Sequence, residues 1–265
     1  MKITFIHHSS FCVELGDKVL VFDYFNGTCT RGTEQVDVIP NFHFQGRMPE
    51  FEPDQEIYMF VSHRHQDHFD PEIFRWADKY PRIRYIMPRQ MKFNENYFAK
   101  RGLDPAVKER IVPVELVGQV TLEGLKIETF VSTDEGVAYL VSAGGRSVYH
   151  AGDLHWWHWE GEPEEFLDYQ EKLYKKEMDR LAQHHVDVAF VVLDSRLDKG
   201  VFWGLDYFLE KVDADYVIPM HLWQRYELIS QYKALPDEGR RKERVLEVTG
   251  ENQVFVTIHG PRGRS

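Results

Sequence analysis

The chain has 265 residues, 43% of them apolar and 28% charged, so it can bury a large core and does not have the composition of a disordered protein. Its 43 acidic side chains outnumber the 32 lysines and arginines, and the resulting net charge of -11 disfavours nucleic acids and anionic membranes as partners. The longest apolar runs, such as VAFVVL, have only the length of a strand, which argues against a membrane span.

The first half of the chain is rich in predicted strands. Apolar and β-branched runs bounded by turn residues predict strands, and an aspartate cap followed by proline at 70–71 predicts the start of a helix. Residues 26–54 lack periodicity and are interpreted as a long loop. The predicted strands are 2–8, 10–16, 18–25, 56–63 and 82–88, and the predicted helices are 71–80 and 91–102.

The second half begins with strands and then alternates strands with helices. Residues 164–185 carry apolar side chains at helical spacing and predict an amphipathic helix. The other predicted helices are 203–213 and 226–235. The predicted strands are 110–116, 119–124, 125–132, 137–144, 146–153, 186–194, 214–221, 244–248 and 253–259.

Each half therefore consists of strands followed by strand and helix alternation. Two sheets packed face to face with helices outside form an αββα sandwich, which places the chain in the α/β (α+β) class. No linker separates the halves, so we expect a single domain over residues 1–265.

The stretch SHRHQDH at 62–68 is the strongest candidate for chemistry. His63 and His65 are two residues apart and point to the same side of an extended segment. Asp67 and His68 follow just before the predicted helix and can face the same cavity from another angle. Imidazole and carboxylate together suit Zn²⁺, Mn²⁺ or Fe, and the end of a buried strand is where α/β proteins place ligands.

Two further candidates lie far away in the sequence. Asp153 and His221 each end an apolar strand, where a carboxylate or an imidazole has no packing reason to be. The alternatives are a turn aspartate after Gly152 and a hydrogen-bonded core histidine.

The H-x-H-x-D-H pattern resembles the signature of metallo-β-lactamase-fold hydrolases. Four other stretches extend the resemblance along the chain: IHHSSFCVEL, VLVFDYF, SVYHAGDLH and YVIPMHLW. Together they are similar to the branch of ascorbate-6-phosphate-lactonase-like and N-acyl-phosphatidylethanolamine-phospholipase-D-like proteins. The resemblance implies the four-layer αββα metallo-β-lactamase fold and one or two divalent ions, with zinc and manganese ahead of iron.

The resemblance also implies a distribution of ligands. His63 and His65 would hold a first ion, Asp67, His68 and His221 a second, and Asp153 would bridge the two. The family normally supplies a third histidine to the first ion, but ETFVSTDEGVAYLV at 128–141 contains none. Asp134 is the candidate replacement and would favour a harder ion such as Mn²⁺ or Fe²⁺. The alternatives are a turn aspartate beside Gly136 and a first site that is weak or empty.

Other side chains are candidates for lining the pocket or orienting the ligands. His8 matches the histidine of the family's first strand pair, and Asp23 ends a strand from which it could orient His65 or another ligand. For both, a structural or turn role is the alternative. The stretch 154–163 contains three tryptophans, Trp156, Trp157 and Trp159, which could wall the pocket with His155 or His158 meeting the substrate, or could instead pack beneath the helix that follows. The remaining candidates are His43, Arg47 and Arg89 for an anionic group, and Trp223 and Arg225 beside His221.

The site predicts a hydrolase. Metal ions would generate a hydroxide from bound water, with Asp67 both ligating and accepting a proton. The expected substrate is a small anionic ester, lactone or phosphodiester. One alternative is a phosphodiesterase of a lipid head group or cyclic nucleotide, and another is a non-hydrolytic metal-binding or redox protein with an incomplete first site.

The setting of the protein is predicted more coarsely. Cys12 and Cys29 provide no disulfide framework, and MKITFIHHSSF does not resemble a secretory signal, so the sequence predicts a cytoplasmic protein. The expected partner is a small-molecule substrate, with no nucleic acid and no membrane. The aromatic content leaves a homo-oligomer open.

Overall fold

The structure is a computed structural model that describes residues 1–29, 42–237 and 241–256, without the side chains of Cys29 and Val256. The strands of the N-terminal half are β1 (Lys2–His7), β2 (Ser10–Leu15), β3 (Lys18–Phe22), β4 (Thr28–Cys29), β5 (Phe42–His43), β6 (Glu56–Phe60), β7 (Arg84–Pro88) and β8 (Ile111–Val114). Those that follow are β9 (Gly118–Leu122), β10 (Leu125–Val131), β11 (Val137–Ala143), β12 (Arg146–His150), β13 (His185–Val192), β14 (Asp213–Met220) and β15 (Gln253–Val256).

Helices connect many of these strands. The α-helices are α1 (Trp76–Lys79), α2 (Glu95–Ala99), α3 (Glu164–Leu181), α4 (Trp203–Lys211) and α5 (Glu227–Ala234). Four 3₁₀ helices cover Pro71–Arg75, Pro105–Arg110, Ser195–Gly200 and Arg241–Arg244. No helix in the described part of the chain is long and apolar enough to cross a membrane.

The strands form two large sheets. One has the order β15-β1-β2-β3-β6-β7-β8, and the other has the order β14-β13-β12-β11-β10-β9. In each sheet, antiparallel pairs give way to parallel ones: β3, β6, β7 and β8 run parallel in the first, and β12, β13 and β14 in the second. Parallel pairing requires crossover connections, and helices supply most of them here, which explains the alternation of strands and helices in the sequence.

The two sheets pack face to face. The rings of Phe11 in β2 and Phe190 in β13 stack with their centroids 3.8 Å apart, and Phe22 stacks on His150 at 5.0 Å. Strand β6 shows how both of its faces are buried, because Tyr58 and Phe60 join the core between the sheets while Ile57 and Met59 join a second core on the outside. A continuous apolar run is the sequence that such a strand needs.

Helices cover the outer faces. Ile73, Phe74 and Phe98 pack on the outside of the first sheet, and Met178, Leu181 and Phe208 pack on the second. The architecture is therefore a mixed α/β sandwich with helices on both sides, which confirms the predicted fold class.

Several predicted element boundaries were wrong. The helix predicted at 91–102 covers only Glu95–Ala99, because Asn94 caps it by accepting a hydrogen bond from the Tyr97 amide. Residues 71–80 form a 3₁₀ helix and one short α-helix instead of a continuous helix. The amphipathic helix ends at Leu181 and not at residue 185.

The predicted strand 244–248 is not a strand. Only Val245 pairs, in an isolated parallel bridge to Val217, and the preceding residues form a 3₁₀ helix. The Arg244 guanidinium donates to the Val212 and Ala214 carbonyls, so this segment is held by side-chain bonds. The predicted loop 26–54 contains the β4–β5 pair, while its residues 30–41 and the end of the strand 253–259 lie outside the described residues.

Candidate metal centre

Loops that follow strands in both sheets meet at one edge of the sandwich. They carry two groups of side chains whose donor atoms lie within 4.8 Å of one another: His63, His65, Asp134 and Asp153, and His8, Asp67, His68 and His221. Every metal-ligand candidate predicted from the sequence thus belongs to one of the two groups. His8, predicted only as a pocket or structural residue, joins the second group.

The first group lies partly open to solvent. His63 is fully buried, with its Nε2 2.9 Å from His65 Nδ1 and 3.4 Å from Asp153 Oδ2. The side chains of His65 and Asp134 are 48% and 47% exposed, and His65 Nδ1 lies 3.6 Å from Asp134 Oδ2. Glu135 Oε2, at 3.4 Å from His65 Nε2, is a second carboxylate beside this group.

The second group is deeper. His8, His68 and His221 are buried, and their Nε2 atoms lie 3.3, 3.8 and 3.5 Å from Asp67 Oδ2. Three imidazoles around one carboxylate form a nitrogen-rich set of the kind that zinc and iron take.

Asp153 lies between the two groups. Its Oδ2 faces His63, while its Oδ1 lies 3.0 Å from His68 Nε2 and 3.5 Å from His221 Nε2. One carboxylate oxygen is thus directed to each group, which is the geometry that a bridging ligand requires.

Unsatisfied atoms show that these residues fit a metal. His8 Nε2, His68 Nε2, His221 Nε2 and Asp153 Oδ1 are all buried, and none makes a well-formed hydrogen bond to a described residue, although His68 Nε2 and Asp153 Oδ1 lie 3.0 Å apart. Buried polar atoms are normally paired because an unpaired one costs free energy. A convergent set of donors without partners is the arrangement expected where a cation would supply the missing interaction.

Hydrogen bonds orient the rings of His63 and His68. Asp23 Oδ2 lies 2.7 Å from His68 Nδ1, and Ser62 Oγ lies 2.8 Å from His63 Nδ1 while donating to Asp23 at 2.6 Å. Such contacts to Nδ1 leave Nε2 free to bind a metal. Asp23, which we predicted could orient His65 or another ligand, therefore contacts His68 and reaches His63 through Ser62.

Asp194 orients the ring of His221 in the same way, and this role was not predicted from the sequence. Its Oδ2 lies 2.8 Å from His221 Nδ1 and accepts a hydrogen bond from Trp223 Nε1 at 3.2 Å. The sequence did contain a signal, since Asp194 follows the apolar run VAFVVL just as Asp153 follows its own strand.

The electrostatics of the centre follow from burial and opposite charges. Burial lowers the pKa of His221, but Asp153, Asp194 and Asp67 outweigh it and raise that pKa to about 9. Burial raises the pKa of Asp153, yet His68, His221 and His63 hold it well below its usual range. Burial lowers the pKa of His63 to about 3. Ionised carboxylates and charged imidazoles balance one another, and a divalent ion would replace the imidazole protons.

The backbone at the centre adopts unusual conformations. His8, Asp23, His221 and Trp223 have φ values of 45°, 45°, 63° and 50°. Non-glycine residues in this left-handed region store strain that the surrounding packing must outweigh, and such positions concentrate at functional sites.

A cavity of about 460 Å³ opens onto both groups. Besides candidate ligands, it is lined by Gln66, Thr133, Trp157, Trp159, Phe166, Gln170, Arg196 and Trp223. Trp223 thus lies in the wall of this cavity, and the wall contributed by 154–163 consists of Trp157 and Trp159.

Other predicted pocket residues lie elsewhere. His155 is buried with its ring against Gly204 and close to Tyr174, and Trp156 packs beside Trp203 and Tyr207. His158 stacks near Trp203. The predicted packing alternative therefore describes these three better than the pocket does.

The remaining candidates for anion binding are at the surface. His43 and Arg47 are exposed in and after β5. Arg89 pairs with Glu115, and Arg225 pairs with Glu227. None of these four is among the residues that line the 460 Å³ cavity.

Comparisons with known proteins identify the family and the fold. Residues 2–167 match the beta-lactamase superfamily domain, which is more than half of the chain. No curated protein matches the sequence.

Solved structures show the same fold at low sequence identity. Igni18, a metallo hydrolase from the archaeon Ignicoccus hospitalis, superposes with a TM-score of 0.57 and 17% identity, covering 97% of this chain and 99% of that one. An isothiocyanate hydrolase from Delia radicum gut bacteria gives 0.55 and 12%, covering 97% and 99%. CmlA, a diiron β-hydroxylase from Streptomyces venezuelae, gives 0.50 and 14%, covering 83% of this chain but 44% of its own.

Proposed function

Because the chain belongs to the beta-lactamase superfamily, we propose that it is a metal-dependent hydrolase of a small, anionic ester, lactone or phosphodiester. The observation that carries the proposal is the set of buried side-chain atoms of His8, His68, His221 and Asp153 that converge without well-formed hydrogen bonds, beside a cavity that Asp153 and His221 line. The resemblance to the ascorbate-6-phosphate-lactonase-like and phospholipase-D-like branch supports this range of substrates.

We propose two metal positions. The first would be held by His63, His65 and Asp134, the second by His8, Asp67, His68 and His221, with Asp153 between them. Zinc and manganese are the proposed ions, with iron as the alternative. Divalent ions at these positions would polarise the substrate's carbonyl or phosphoryl group and lower the pKa of a water molecule.

The chain's own residues would hold the reacting groups in place and exclude water from the substrate. Burial raises the pKa of Asp67, but His68, His221 and His8 hold it well below its usual range, so Asp67 stays a carboxylate that can ligate and accept a proton. Trp157 donates to the Asp153 carbonyl at 2.9 Å and so holds its indole beside the bridging residue. The indoles of Trp157, Trp159 and Trp223 would exclude water from one side of the substrate.

The setting of the enzyme is part of the proposal. We propose one domain over residues 1–265 that works in the cytoplasm on a small molecule, without nucleic acid or membrane. Packing of both sheets on one shared core supports the single domain.

Metal loading combined with a substrate panel tests the proposal. Separate preparations with Zn²⁺, Mn²⁺ and Fe²⁺ would be assayed for ions per chain and for hydrolysis of three anions: 4-acetoxybenzoate, a γ-lactone that carries a carboxylate, and bis(4-nitrophenyl) phosphate. We expect at least one ion per chain and turnover in one class, both lost in Asp153→Asn and kept in His43→Asn, which alters an exposed histidine. Less than one ion per chain, or no hydrolysis by any preparation, would contradict it.

A second candidate function rests on Asp134. A carboxylate in place of the family's histidine makes the first group richer in oxygen, which suits manganese or iron, and CmlA shows that a diiron oxygenase can share this fold. Iron that is oxidised and reduced reversibly, in a protein that hydrolyses none of the panel, would favour this redox function.

A further inference from the structure

Arg196 is a cation in the cavity that the sequence did not reveal. It lies in the 3₁₀ helix Ser195–Gly200, directly after Asp194, and its side chain is 17% exposed. It lines the same cavity as Asp67, Asp153 and His221. A guanidinium is always charged, so this position places a permanent positive charge beside the candidate metal centre.

Asp194 fixes one edge of this guanidinium. Arg196 Nε donates to both Asp194 oxygens at 2.8 and 3.0 Å, and Nη2 donates to Oδ2 at 2.5 Å. No described residue accepts a hydrogen bond from Arg196 Nη1. This nitrogen is also not one of the buried atoms that lack a partner, so it remains accessible. The guanidinium therefore has a fixed orientation and an unused donor edge, which is an arrangement suited to a further acceptor.

Tryptophans surround the group with flat apolar surface. The Arg196 Cζ atom lies 4.8 Å from the Trp223 ring centre and 5.3 Å from that of Trp159. Trp157 and Trp159 are parallel within 2°, with ring centroids 5.6 Å apart. Trp223 and Trp159 hold the cation by cation–π attraction, and all three rings offer a planar ligand a surface to pack on.

We infer that Arg196 binds the anionic group of the substrate, and that the substrate is a small organic anion with a planar apolar body. This inference rests on the proposed function and narrows its substrate class. Asp194 occupies one edge of the guanidinium, and a negatively charged group at the free edge would be attracted both by Arg196 and by cations at the proposed metal positions. A carboxylate, phosphate or sulfate supplies the acceptors, while the 460 Å³ volume restricts the ligand to small molecules.

Benzoate and benzamide form a matched pair of probes, because they share a planar ring and differ in charge. Binding to metal-loaded protein would be followed by the fluorescence of the cavity tryptophans, in wild type, Arg196→Met and the control Arg225→Met. Arg225 is an exposed arginine paired with Glu227. We expect Arg196→Met to weaken benzoate binding about tenfold or more, with benzamide binding and the control unchanged.

A purely structural role for Arg196 would weaken both probes equally, and that result would overturn the inference. So would wild-type protein that shows no saturable benzoate binding. If Arg196→Met loses metal or fails to fold, Arg196→Lys is the second variant. It keeps the positive charge but lacks the forked N–H donors of the guanidinium. We then expect Arg196→Lys to weaken the binding of benzoate more than the binding of benzamide, and an equal change in both would overturn the inference.

The binding readout separates this inference from the proposed function. Benzoate selectivity that depends on Arg196 in a protein that hydrolyses nothing would refute the hydrolase and keep the anion site. Hydrolysis that proceeds without any preference for anions would refute the anion site alone.

Discussion

At the scale of single residues, His8 is the donor whose role the structure changes most. Both of its ring nitrogens are buried and unpaired among the described residues, and its Nε2 is 3.3 Å from Asp67. A histidine kept only for packing would have to bury two polar atoms without compensation. We therefore expect it to act as a metal ligand of the second group.

His8→Asn tests this role. Asparagine tolerates the left-handed backbone at φ 45° but is too short to replace Nε2. We expect metal affinity to fall about tenfold or more, measured by competition with a chromogenic chelator. His7→Asn is the matched control, since His7 is equally buried but its Nε2 lies near the Phe25 carbonyl. Equal metal affinity in both variants would show that His8 is not a ligand.

Asp134 supports a second prediction at this scale. Its side chain is 47% exposed and faces His65, so a histidine can be accommodated there without burying charge. We expect Asp134→His to restore the family's donor set and to shift metal selectivity towards zinc over manganese. Metal content after loading from an equimolar mixture of zinc and manganese measures this selectivity. Asp17→His, in an exposed turn, is the control. Unchanged selectivity would place Asp134 outside the first group.

Residues of the centre differ in how far the sequence predicts them. The spacing of SHRHQDH brings its three histidines and Asp67 together through local geometry, and Asp153 and His221 stand out because each ends an apolar strand. The tryptophans of 154–163 were predicted as possible pocket walls, but the sequence did not show which of them would face the cavity, and Arg196 gave no signal. Their place in the cavity depends on which way an irregular loop turns, and that is decided by tertiary packing.

At the scale of elements, the β10–β11 loop is fixed by its approach to Ser62. Gly136 has φ 71°, and a Cβ atom there would lie 2.0 Å from the Ser62 carbonyl oxygen. The Val137 amide donates to that same oxygen at 3.2 Å. The loop that carries Asp134 is therefore pressed against the loop that begins the metal motif.

Gly136→Ala is expected to damage both stability and metal binding. Gly145→Ala is its matched control, because Gly145 has φ 76° but open space around it. The control should cost about 1 kcal/mol from backbone strain alone, while Gly136→Ala should cost about 2 kcal/mol or more, because the two loops must also separate. Urea unfolding and metal content measure the two effects. Equal costs would mean that the close approach does not matter.

Element boundaries were less predictable than element types. Strands with continuous apolar runs, such as β6 and β13, were predicted because burial on both faces leaves that pattern. The prediction of a strand at 244–248 was wrong because its apolar residues belong to an irregular segment. That segment is held by hydrogen bonds from Arg244 and by a single β-bridge. Apolar alternation alone does not distinguish a strand from an irregular segment that packs on a sheet edge.

At the scale of the whole molecule, one core joins the two sheets. The core includes Phe11 and Phe22 from the first sheet and Phe190 from the second. The Phe190 ring contacts Phe11 across the sandwich and His150 within its own sheet. The layered fold could be predicted because two sets of strands each need a partner face. The order of strands within each sheet could not, since pairing is set by the crossovers and not by local pattern.

Phe190→Ala tests whether the two sheets form one cooperative unit. Phe190 is fully buried and stacks on Phe11 across the sandwich, so its truncation should lower the free energy of unfolding by about 3–5 kcal/mol. The exposed Tyr169→Ala control should change it by about 0.5 kcal/mol or less. Because both sheets lose packing at once, far-ultraviolet circular dichroism and tryptophan fluorescence should still follow a single transition. Two separate transitions would instead mean that each half holds its own core, and the proposal of a single domain would fail.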